Sequence, residues 1–308
     1  MNNKIVVIAG PTATGKTRLA VELAKRFGGE VISADSMQIY KYMDIGSAKP
    51  TKEEMDGVVH HLIDIIDPKV SFSVAAYVEL AKAAAEDILS RGKLPIIAGG
   101  TGLYISSFID NVKFTQSETD FGLRDRLYKE AEEKGNEALH ARLLKIDPKA
   151  AEAIHPNNIK RVIRALELYE TTGLTLTEQN ENSKTEPSPF EPIMIALGTD
   201  REVLYDRINR RVDIMLNAGL LDEIKRLQAM GLTADMQSMQ GIGYKEILLY
   251  LDGEIGYDDA IELVKKNSRN YAKRQLTWFK RDERYHWLDC MADDLLGQAE
   301  KILKDFGL

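Results

Sequence analysis

Cysteine is almost absent from this sequence of 308 residues, since Cys290 is the single example. One cysteine excludes an intramolecular disulfide and any cysteine-rich zinc module, and it is typical of a chain that works in a reducing cytoplasm. Long apolar runs are missing too, because no stretch approaches the roughly 20 residues that cross a bilayer. We therefore predict a cytoplasmic chain without a membrane span. Because a strand-like run begins near residue 4, we also expect no signal peptide.

Metal-ligand spacing and a basic overall charge are also lacking. The five histidines are scattered and show no spacing typical of a metal site. The formal net charge of −7 argues against a nucleic-acid partner only weakly, because local patches matter more than the total. The remaining composition, 44% hydrophobic and 29% charged, predicts one large or two smaller globular domains with a substantial core.

The first seventeen residues contain the strongest motif. Lys4–Ala9 is a β-branched, apolar run that predicts a strand, and residues 18–27 predict an amphipathic helix that Gly28 ends. Between them a loop matches G-x-x-x-x-G-K-[ST] at every fixed position, and its residues are Gly10, Pro11, Thr12, Ala13, Thr14, Gly15, Lys16 and Thr17. The N–H groups of such a loop and the helix N-terminus bind a polyphosphate, and the Thr17 hydroxyl can hold Mg²⁺. The motif predicts this site and leaves the reaction open.

Two further predicted strands end in turns that could carry function. Asp35 follows the strand at residues 30–34, and the glycine-rich turn around Thr101 follows the strand at residues 94–98. Ligands of open α/β sheets bind beyond the carboxyl ends of the strands, so both residues could face the phosphate-binding loop. The alternatives are a turn-capping aspartate and a tight strand-to-helix turn without a ligand.

The alternation of strands and helices predicts a doubly wound parallel sheet. A helical block interrupts it at residues 120–172, and residues 178–192, with three prolines, are interpreted as a linker. A strand then returns at residues 193–197, and residues 199–202 predict a capping box at the start of a helix. We therefore expect an α/β core domain of residues 1–112 and 192–308 with C-terminal helices, and a helical insertion domain of residues 113–191.

Basic residues cluster twice in the last third of the chain. Arg207, Arg210 and Arg211 share one predicted helix, which could be a phosphate-binding lid or a solvated face. Residues 265–284 contain eight basic and two acidic residues, a net charge of +6, with Tyr271, Trp278 and Phe279 interleaved. This segment is either a footprint for a phosphate backbone or a surface helix whose aromatic residues are core.

Together the motifs resemble those of the tRNA dimethylallyltransferases, also called tRNA isopentenyl-diphosphate transferases. Besides the phosphate-binding loop, the matching stretches lie, in the family's order, at residues 35–40 (DSMQIY), 44–50 (DIGSAKP), 60–64 (HHLID), 99–104 (GGTGLY), 160–167 (KRVIRALE) and 240–246 (QGIGYKE). They span nearly the whole chain. The pair DSMQIY and GGTGLY is far more specific than the loop alone. The single cysteine fits a bacterial form, without the zinc finger that some nuclear-encoded relatives carry.

The resemblance implies a reaction. A dimethylallyl group passes from dimethylallyl diphosphate to N6 of the adenosine just 3′ of the anticodon in tRNA, and diphosphate leaves with Mg²⁺ as cofactor. Asp35 is implied as the base and Thr101 as a hydrogen-bonding partner near the amine, with Arg211 as a further diphosphate ligand. An exocyclic adenine amine is a poor nucleophile and needs such a base. The target base must also leave the anticodon stack to reach the site.

The resemblance also implies contacts with the tRNA anticodon stem-loop, which the helical insertion would hold from the other side. The implied contact residues are Asp35, Ser36, Met37, Gln38, Thr101, Arg124, Ile159, Lys160, Arg161, Val162, Ile163, Gln240, Gly243, Tyr244 and Lys245. At the position of Ile159 the family often has proline, which is a minor departure. We expect a monomer that binds no zinc and no membrane.

Two other classes stay open on the residues alone. A P-loop small-molecule or nucleoside kinase needs the same loop, an aspartate and a basic lid, but no basic helix with interleaved aromatic residues. A nucleotide-gated RNA-binding module would not need Asp35 and Thr101 to converge on the phosphate cleft.

Overall fold

The computed structural model describes residues 3–114, 121–183 and 186–308. In this part of the chain, six strands form one parallel sheet: β1 (Lys4–Ala9), β2 (Gly29–Ala34), β3 (His60–His61), β4 (Leu94–Gly99), β5 (Glu191–Gly198) and β6 (His286–Asp289). Their order is β3-β2-β4-β1-β5-β6. The predicted class, a doubly wound parallel α/β sheet, is confirmed.

Helices account for most of the remaining described residues. They are α1 (Lys16–Phe27), α2 (Lys52–Met55), α3 (Val74–Ser90), α4 (Gly102–Ile109), α5 (Phe121–Lys134), α6 (Asn136–Ile146), α7 (Pro148–Ala153), α8 (Ile159–Thr172), α9 (Leu176–Asn182), α10 (Arg201–Asn217), α11 (Leu220–Ala229), α12 (Tyr244–Leu251), α13 (Tyr257–Phe279) and α14 (Leu295–Asp305). A short 3₁₀ helix covers Gln237–Gln240. Among the helices described, none is long and apolar enough to cross a membrane.

The chain divides into two compact units. One consists of Met1–Ile109 and Pro189–Leu308 and contains the whole sheet, and the other consists of Asp110–Ser188. In the first unit, one face of the sheet packs on α1 and α14 through buried side chains such as Val6, Leu19 and Leu303. The second unit has a core of its own, formed by α5 to α8. Each unit therefore buries apolar surface independently, which is the main stabilising contribution to a fold.

Two local predictions from the sequence were wrong, the linker at residues 178–192 and the capping box at residues 199–202. Residues 178–182 belong to α9 and not to a linker, because the Thr175 hydroxyl accepts the Glu178 N–H at 3.1 Å and the Glu178 carboxylate accepts the Thr175 N–H at 2.9 Å. The strand that follows begins at Glu191. The capping box expected at residues 199–202 is absent, since α10 has Asp200 at its N-cap and no side-chain capping bond there. Asp120, where the helical block was expected to begin, lies outside the described residues.

Glu30 is a buried acid next to the edge of the sheet, with only 3% of its surface exposed. Its carboxylate accepts hydrogen bonds from Arg91 Nη2 at 2.7 Å, Lys93 Nζ at 2.8 Å and His61 Nε2 at 2.7 Å. The Arg91 guanidinium, more than the other two donors, holds the pKa of this carboxyl well below its usual range, against the opposing effect of burial. The ionised form of Glu30 is therefore part of the folded structure.

We expect Glu30→Gln to destabilise the protein, because the amide keeps the shape but leaves Lys93 without its counter-charge and Arg91 with Asp87 alone. The cost should be about 2–3 kcal/mol, less than for a fully buried pair, since those two side chains are 37% and 45% exposed. A depressed pKa stabilises the fold above the unfolded-state pKa, and this contribution is lost as pH falls below it. The difference in the free energy of unfolding between wild type and variant, measured in urea, should therefore shrink as pH is lowered from about 7 to about 3.

The matched control is Glu86→Gln, on the exposed face of α3. It should leave the free energy of unfolding within about 0.5 kcal/mol of wild type. A gap for Glu30→Gln that stays constant across this pH range would contradict the assigned role of the charge.

Candidate active site

The phosphate-binding loop joins β1 to α1. Gly15 is the N-cap of α1 and has a φ of 81°, so the helix begins at Lys16 in the conformation that the motif requires. The Thr14 hydroxyl donates to the carbonyl of Pro11 at 2.9 Å, and Lys16 Nζ donates to the same carbonyl at 2.6 Å. These bonds hold the loop in a closed curve, and the N-terminus of α1 faces the carboxyl edge of the sheet.

A cleft of about 920 Å³ lies at this edge. Its lining includes Thr12, Ala13, Gly15, Lys16, Thr17, Asp35, Ser36, Met37, Gln38, Gly99, Gly100, Arg211, Gln240, Lys245, Tyr271 and Arg274. Branched or long apolar side chains line the same cleft, and they are Ile208, Val212, Met215, Ile242 and Val264. The cleft can therefore take a ligand that joins an anionic group to an apolar one.

Asp35 and Thr101 follow β2 and β4, which are neighbours in the sheet. Asp35 Oδ1 accepts the N–H groups of Met37 at 2.8 Å and Gln38 at 3.3 Å. Thr101 Oγ1 accepts the N–H of Ser36 at 3.1 Å, so both side chains bind the same turn. Asp35 thus caps a turn and also lines the cleft, which combines the two interpretations left open by the sequence.

Two cations share the cleft with Asp35. Burial, and next the nearby Arg211, lowers the pKa of Lys16 to about 7, although Asp35 opposes this shift. Burial also lowers the pKa of Arg211, against the attraction of Asp35 and Glu54. Each cation therefore loses hydration without gaining a full counter-charge, and a polyanion placed between them would supply it.

The three arginines of α10 do not act together as a lid. Arg211 lines the cleft, whereas Arg207 Nε donates to the carbonyl of Ala13 at 2.8 Å and so supports the loop. Arg210 pairs with Asp206 at 2.8 Å on the surface. Of these three arginines, only Arg211 therefore lines the cleft that contains the phosphate-binding loop.

The basic segment at residues 265–284 combines aromatic residues that belong to the core with exposed cations that could bind a phosphate backbone. Phe279 is core, with 1% of its surface exposed, but Trp278 is 41% exposed. Tyr271 lines the cleft, and burial followed by Asp35 raises its pKa to about 12. Exposed cations accompany Trp278 along this face, and they are Lys273, Arg274, Lys280 and Arg281.

The predicted tRNA-contact residues of the first unit, apart from Asp35 and Thr101, fall into two groups. Ser36, Met37, Gln38, Gln240 and Lys245 line the cleft. Gly243 is buried, and Tyr244 is fully buried, with its hydroxyl donating to Glu223 Oε1 at 2.8 Å. The Tyr244 side chain is therefore part of the core, and the RNA contact expected at Tyr244 stays a prediction for its main-chain atoms.

In the second unit, Lys160 and Arg161 are exposed in the first turn of α8, and Ile159 is partly exposed. Val162 and Ile163 are buried at 0% and 1% exposure, so their side chains belong to the core of this unit, and the RNA contact expected at these two positions stays a prediction for their main-chain atoms. Arg124 Nη2 donates to both carboxylate oxygens of Glu167, at 3.0 and 2.7 Å. Its guanidinium is therefore already partly neutralised.

Sequence reasoning missed two residues that shape the cleft. The carboxylate of Glu223 is buried and accepts the N–H groups of Asp44 at 2.9 Å, Ile45 at 2.8 Å and Gly46 at 3.0 Å. The side-chain amide of Gln275 accepts the Thr12 N–H at 3.0 Å and donates to the carbonyl of Gly100 at 2.8 Å. Neither belongs to a catalytic motif, and the available signal was only a polar residue on the inner face of a helix.

A parallel sheet with a G-x-x-x-x-G-K-[ST] loop after its first strand, and a charged cleft at its carboxyl edge, defines a P-loop α/β protein. Residues 38–282 match the model of a family described as IPP transferase. The sequence is 54% identical to the tRNA dimethylallyltransferase of Acetivibrio thermocellus over 303 residues, which are 98% of this chain and 96% of that protein. The chain belongs to the IPP transferase family.

Solved structures of related proteins have the same fold. The tRNA isopentenylpyrophosphate transferase of Bacillus halodurans is 50% identical, with a TM-score of 0.72 over 99% of this chain and 94% of that one. The enzyme of Staphylococcus epidermidis is 45% identical, with a TM-score of 0.72 over 99% of both chains. A eukaryotic dimethylallyltransferase acting on tRNA is 32% identical, with a TM-score of 0.83 over 99% of this chain and 79% of that one.

Lys16 should take up a proton when diphosphate binds. With a pKa of about 7, most Lys16 side chains are neutral at pH 8, and an anion in contact restores the charged form. We expect calorimetric titration with inorganic diphosphate at pH 8, in buffers of different ionisation enthalpy, to record more proton uptake by wild type than by Lys16→Arg. The arginine keeps the charge but does not titrate in this range. Equal uptake by the two proteins would refute the buried, partly neutral state of Lys16.

Proposed function

We propose that this protein transfers a dimethylallyl group from dimethylallyl diphosphate to N6 of the adenosine 3′-adjacent to the anticodon in tRNA. The products are N6-dimethylallyladenosine and diphosphate. The observation that carries the proposal is that the phosphate-binding loop, Asp35 and an apolar wall line one cleft, in a chain of the IPP transferase family. The kinase alternative finds no support, because the relatives described above are named for dimethylallyl or isopentenyl transfer.

The loop end of the cleft would hold the diphosphate. Main-chain N–H groups at the start of α1, the Lys16 ammonium and the Arg211 guanidinium supply donors and positive charge where negative charge grows on the leaving group. The apolar side chains of α10 and α13 would cover the five-carbon tail and keep water away from the allylic carbon.

The donor set also fits Mg²⁺. This ion usually takes one or two protein oxygens and completes its coordination with substrate phosphates and water. The Thr17 hydroxyl lines the cleft at the start of α1, and among the described residues there is no cluster of three acidic, histidine or cysteine side chains to form a separate cage. We propose Thr17 as the protein ligand. Bound there, Mg²⁺ would neutralise charge on the diphosphate.

Asp35 and Thr101 would serve the acceptor. As the C–O bond of the allyl diphosphate breaks, a bond forms from N6 of adenine to the allylic carbon, and the Asp35 carboxylate takes the proton that N6 loses. The Thr101 hydroxyl contacts the turn that follows Asp35, where it accepts the Ser36 N–H, and would orient the amine. Because the reacting base must enter a cleft, the adenosine would be flipped out of the anticodon stack.

The tRNA would be held by polar groups at several places. Gln38, Gln240 and Lys245 line the cleft, and Lys160 and Arg161 are exposed on the second unit, which we propose as the insertion domain of residues 113–191. The exposed cations of α13 would add phosphate contacts. We further propose that the protein acts as a monomer in the cytoplasm, without zinc.

A label-transfer assay tests the function. The protein is incubated with an anticodon stem-loop RNA, Mg²⁺ and either allyl-labelled dimethylallyl diphosphate or γ-labelled ATP. We expect the allyl label in the RNA and one diphosphate released per transfer, with ATP unconsumed. Transfer of the γ-phosphate to any acceptor, with the allyl substrate inert, would establish the kinase in its place.

Asp35→Asn should bind both substrates and lose transfer. The asparagine oxygen can still accept the N–H groups of Met37 and Gln38, but the amide cannot take a proton from N6. Loss of a general base typically lowers the rate about 100- to 10,000-fold. The measurement is single-turnover transfer together with separate binding of RNA and diphosphate.

The matched control is Asp67→Asn. Asp67 Oδ1 caps a turn in the same way, accepting the Lys69 N–H at 2.9 Å, but Asp67 does not line the cleft. It should transfer at the wild-type rate. A loss below about tenfold in Asp35→Asn would mean that another group takes the proton.

RNA binding should depend steeply on salt despite the acidic total charge. Each phosphate contact that is lost lowers the slope of log affinity against log salt by about 0.7–0.9. Lys160→Glu or Arg161→Glu should therefore flatten the slope by about this much or more. Lys145→Glu, a charge reversal on the exposed face of α6 in the same unit, should leave the slope at its wild-type value. The same slope for all of these proteins would remove these two residues from the RNA footprint.

A further inference from the structure

Gln275 is a buried glutamine on α13 whose two polar atoms both bind main chain. Its surface is 5% exposed. Oε1 accepts the N–H of Thr12 in the phosphate-binding loop at 3.0 Å, and Nε2 donates to the carbonyl of Gly100, next to Thr101, at 2.8 Å. One side chain thus links the loop that would hold the donor to the turn that would hold the acceptor.

The fit is tight on the side of the acceptor turn. A Cβ atom on Gly100 would lie 2.2 Å from Gln275 Nε2, so glycine at this position permits the approach. The two linked turns follow β1 and β4, which pair directly in the sheet. Any change in the length of the bridge would therefore move the two turns relative to each other.

Both polar atoms of Gln275 already bind the protein, the amide oxygen the Thr12 N–H and the amide nitrogen the Gly100 carbonyl, so the side chain acts as a bridge within the protein. Its neighbour one helical turn earlier, Tyr271, also lines the cleft and interacts with Thr101 and Gln275. The inner face of α13 therefore contributes a pair of polar side chains that support the Thr101 turn.

We propose that Gln275 is a positioning residue, which sets the distance between the diphosphate in the loop and the amine held at Asp35 and Thr101. This inference rests on the proposed transfer reaction. The carbon and nitrogen atoms that form the new bond belong to two different substrates, each held by one of the two bridged turns. Misplacement by about 1 Å can cost on the order of a hundredfold in rate while each substrate still binds.

The test is steady-state kinetics of Gln275→Leu and Gln275→Glu with dimethylallyl diphosphate and an anticodon stem-loop RNA. Leucine removes both bonds, and we expect kcat to fall about thirtyfold or more, with both KM values within about threefold of wild type. Glutamate retains an acceptor for the Thr12 N–H but turns a carboxylate oxygen toward the carbonyl of Gly100, so kcat should fall at least as far as in the leucine variant. Affinity for inorganic diphosphate should stay unchanged in the leucine variant, which adds no charge beside the loop.

The control for a merely structural effect is Ile88→Ala, which removes fully buried methyl groups on α3, away from the cleft lining. Measured below its unfolding transition, it should keep the wild-type kcat. The positioning role is overturned if Gln275→Leu keeps kcat within threefold, if only KM changes, or if Ile88→Ala loses as much activity. If the leucine variant does not fold, Gln275→Glu decides by the same criteria.

The transfer assay distinguishes a wrong positioning role from a wrong proposed function. If wild type transfers no allyl group to the RNA, the function itself is wrong. If wild type transfers the group and the Gln275 variants do so equally fast, only the positioning role is lost.

Discussion

The main-chain conformation of Gly10–Thr17 is the constraint on which the rest of the cleft depends. Gly10 passes so close to β5 that a Cβ atom would lie 2.5 Å from the carbonyl oxygen of Leu197. Gly15, in the left-handed region, lets α1 begin at Lys16. The first N–H groups of a helix have no earlier carbonyl to bind, so they are oriented toward the cleft before a ligand arrives. An anion bound there meets donors that need no rearrangement, which is the condition for strong electrostatic stabilisation.

The loop is supported by side chains that come late in the sequence. Arg207 binds the carbonyl of Ala13 from 194 residues away, and Gln275 binds the N–H of Thr12 from 263 residues away. The first unit is built from two stretches of chain, and its second stretch supplies these supports as well as Arg211. The nucleotide-type motif at the N-terminus would therefore be an incomplete site without α10 and α13, which explains why the cleft needs both stretches.

Local rules predicted much of this architecture, and long-range contacts account for what they missed. The loop motif and the helix ends at Gly28 and Gly173 follow from main-chain geometry that only a few residues satisfy, and both glycines adopt the left-handed conformation there. The burial of the Tyr244 side chain could not be predicted because a motif match does not report burial, and its hydroxyl donates to Glu223 on another helix. Glu223 and Gln275 were missed because most of their partners are main-chain groups, whose positions no side-chain pattern records.

The acidic total charge is compatible with an RNA substrate because several carboxylates are held inside the fold by neutral donors. Glu223 is bound by three N–H groups and a tyrosine hydroxyl, and Asp147 by two N–H groups and the Thr177 hydroxyl. These acids add to the formal charge of −7 but neutralise no lysine or arginine. Exposed cations such as Lys160 and Arg281 thus stay available to a polyanion, and screening by salt makes these local patches, within about 10 Å, more important than distant charge. The distribution of the charge, and not its sum, therefore decides which partner the surface favours.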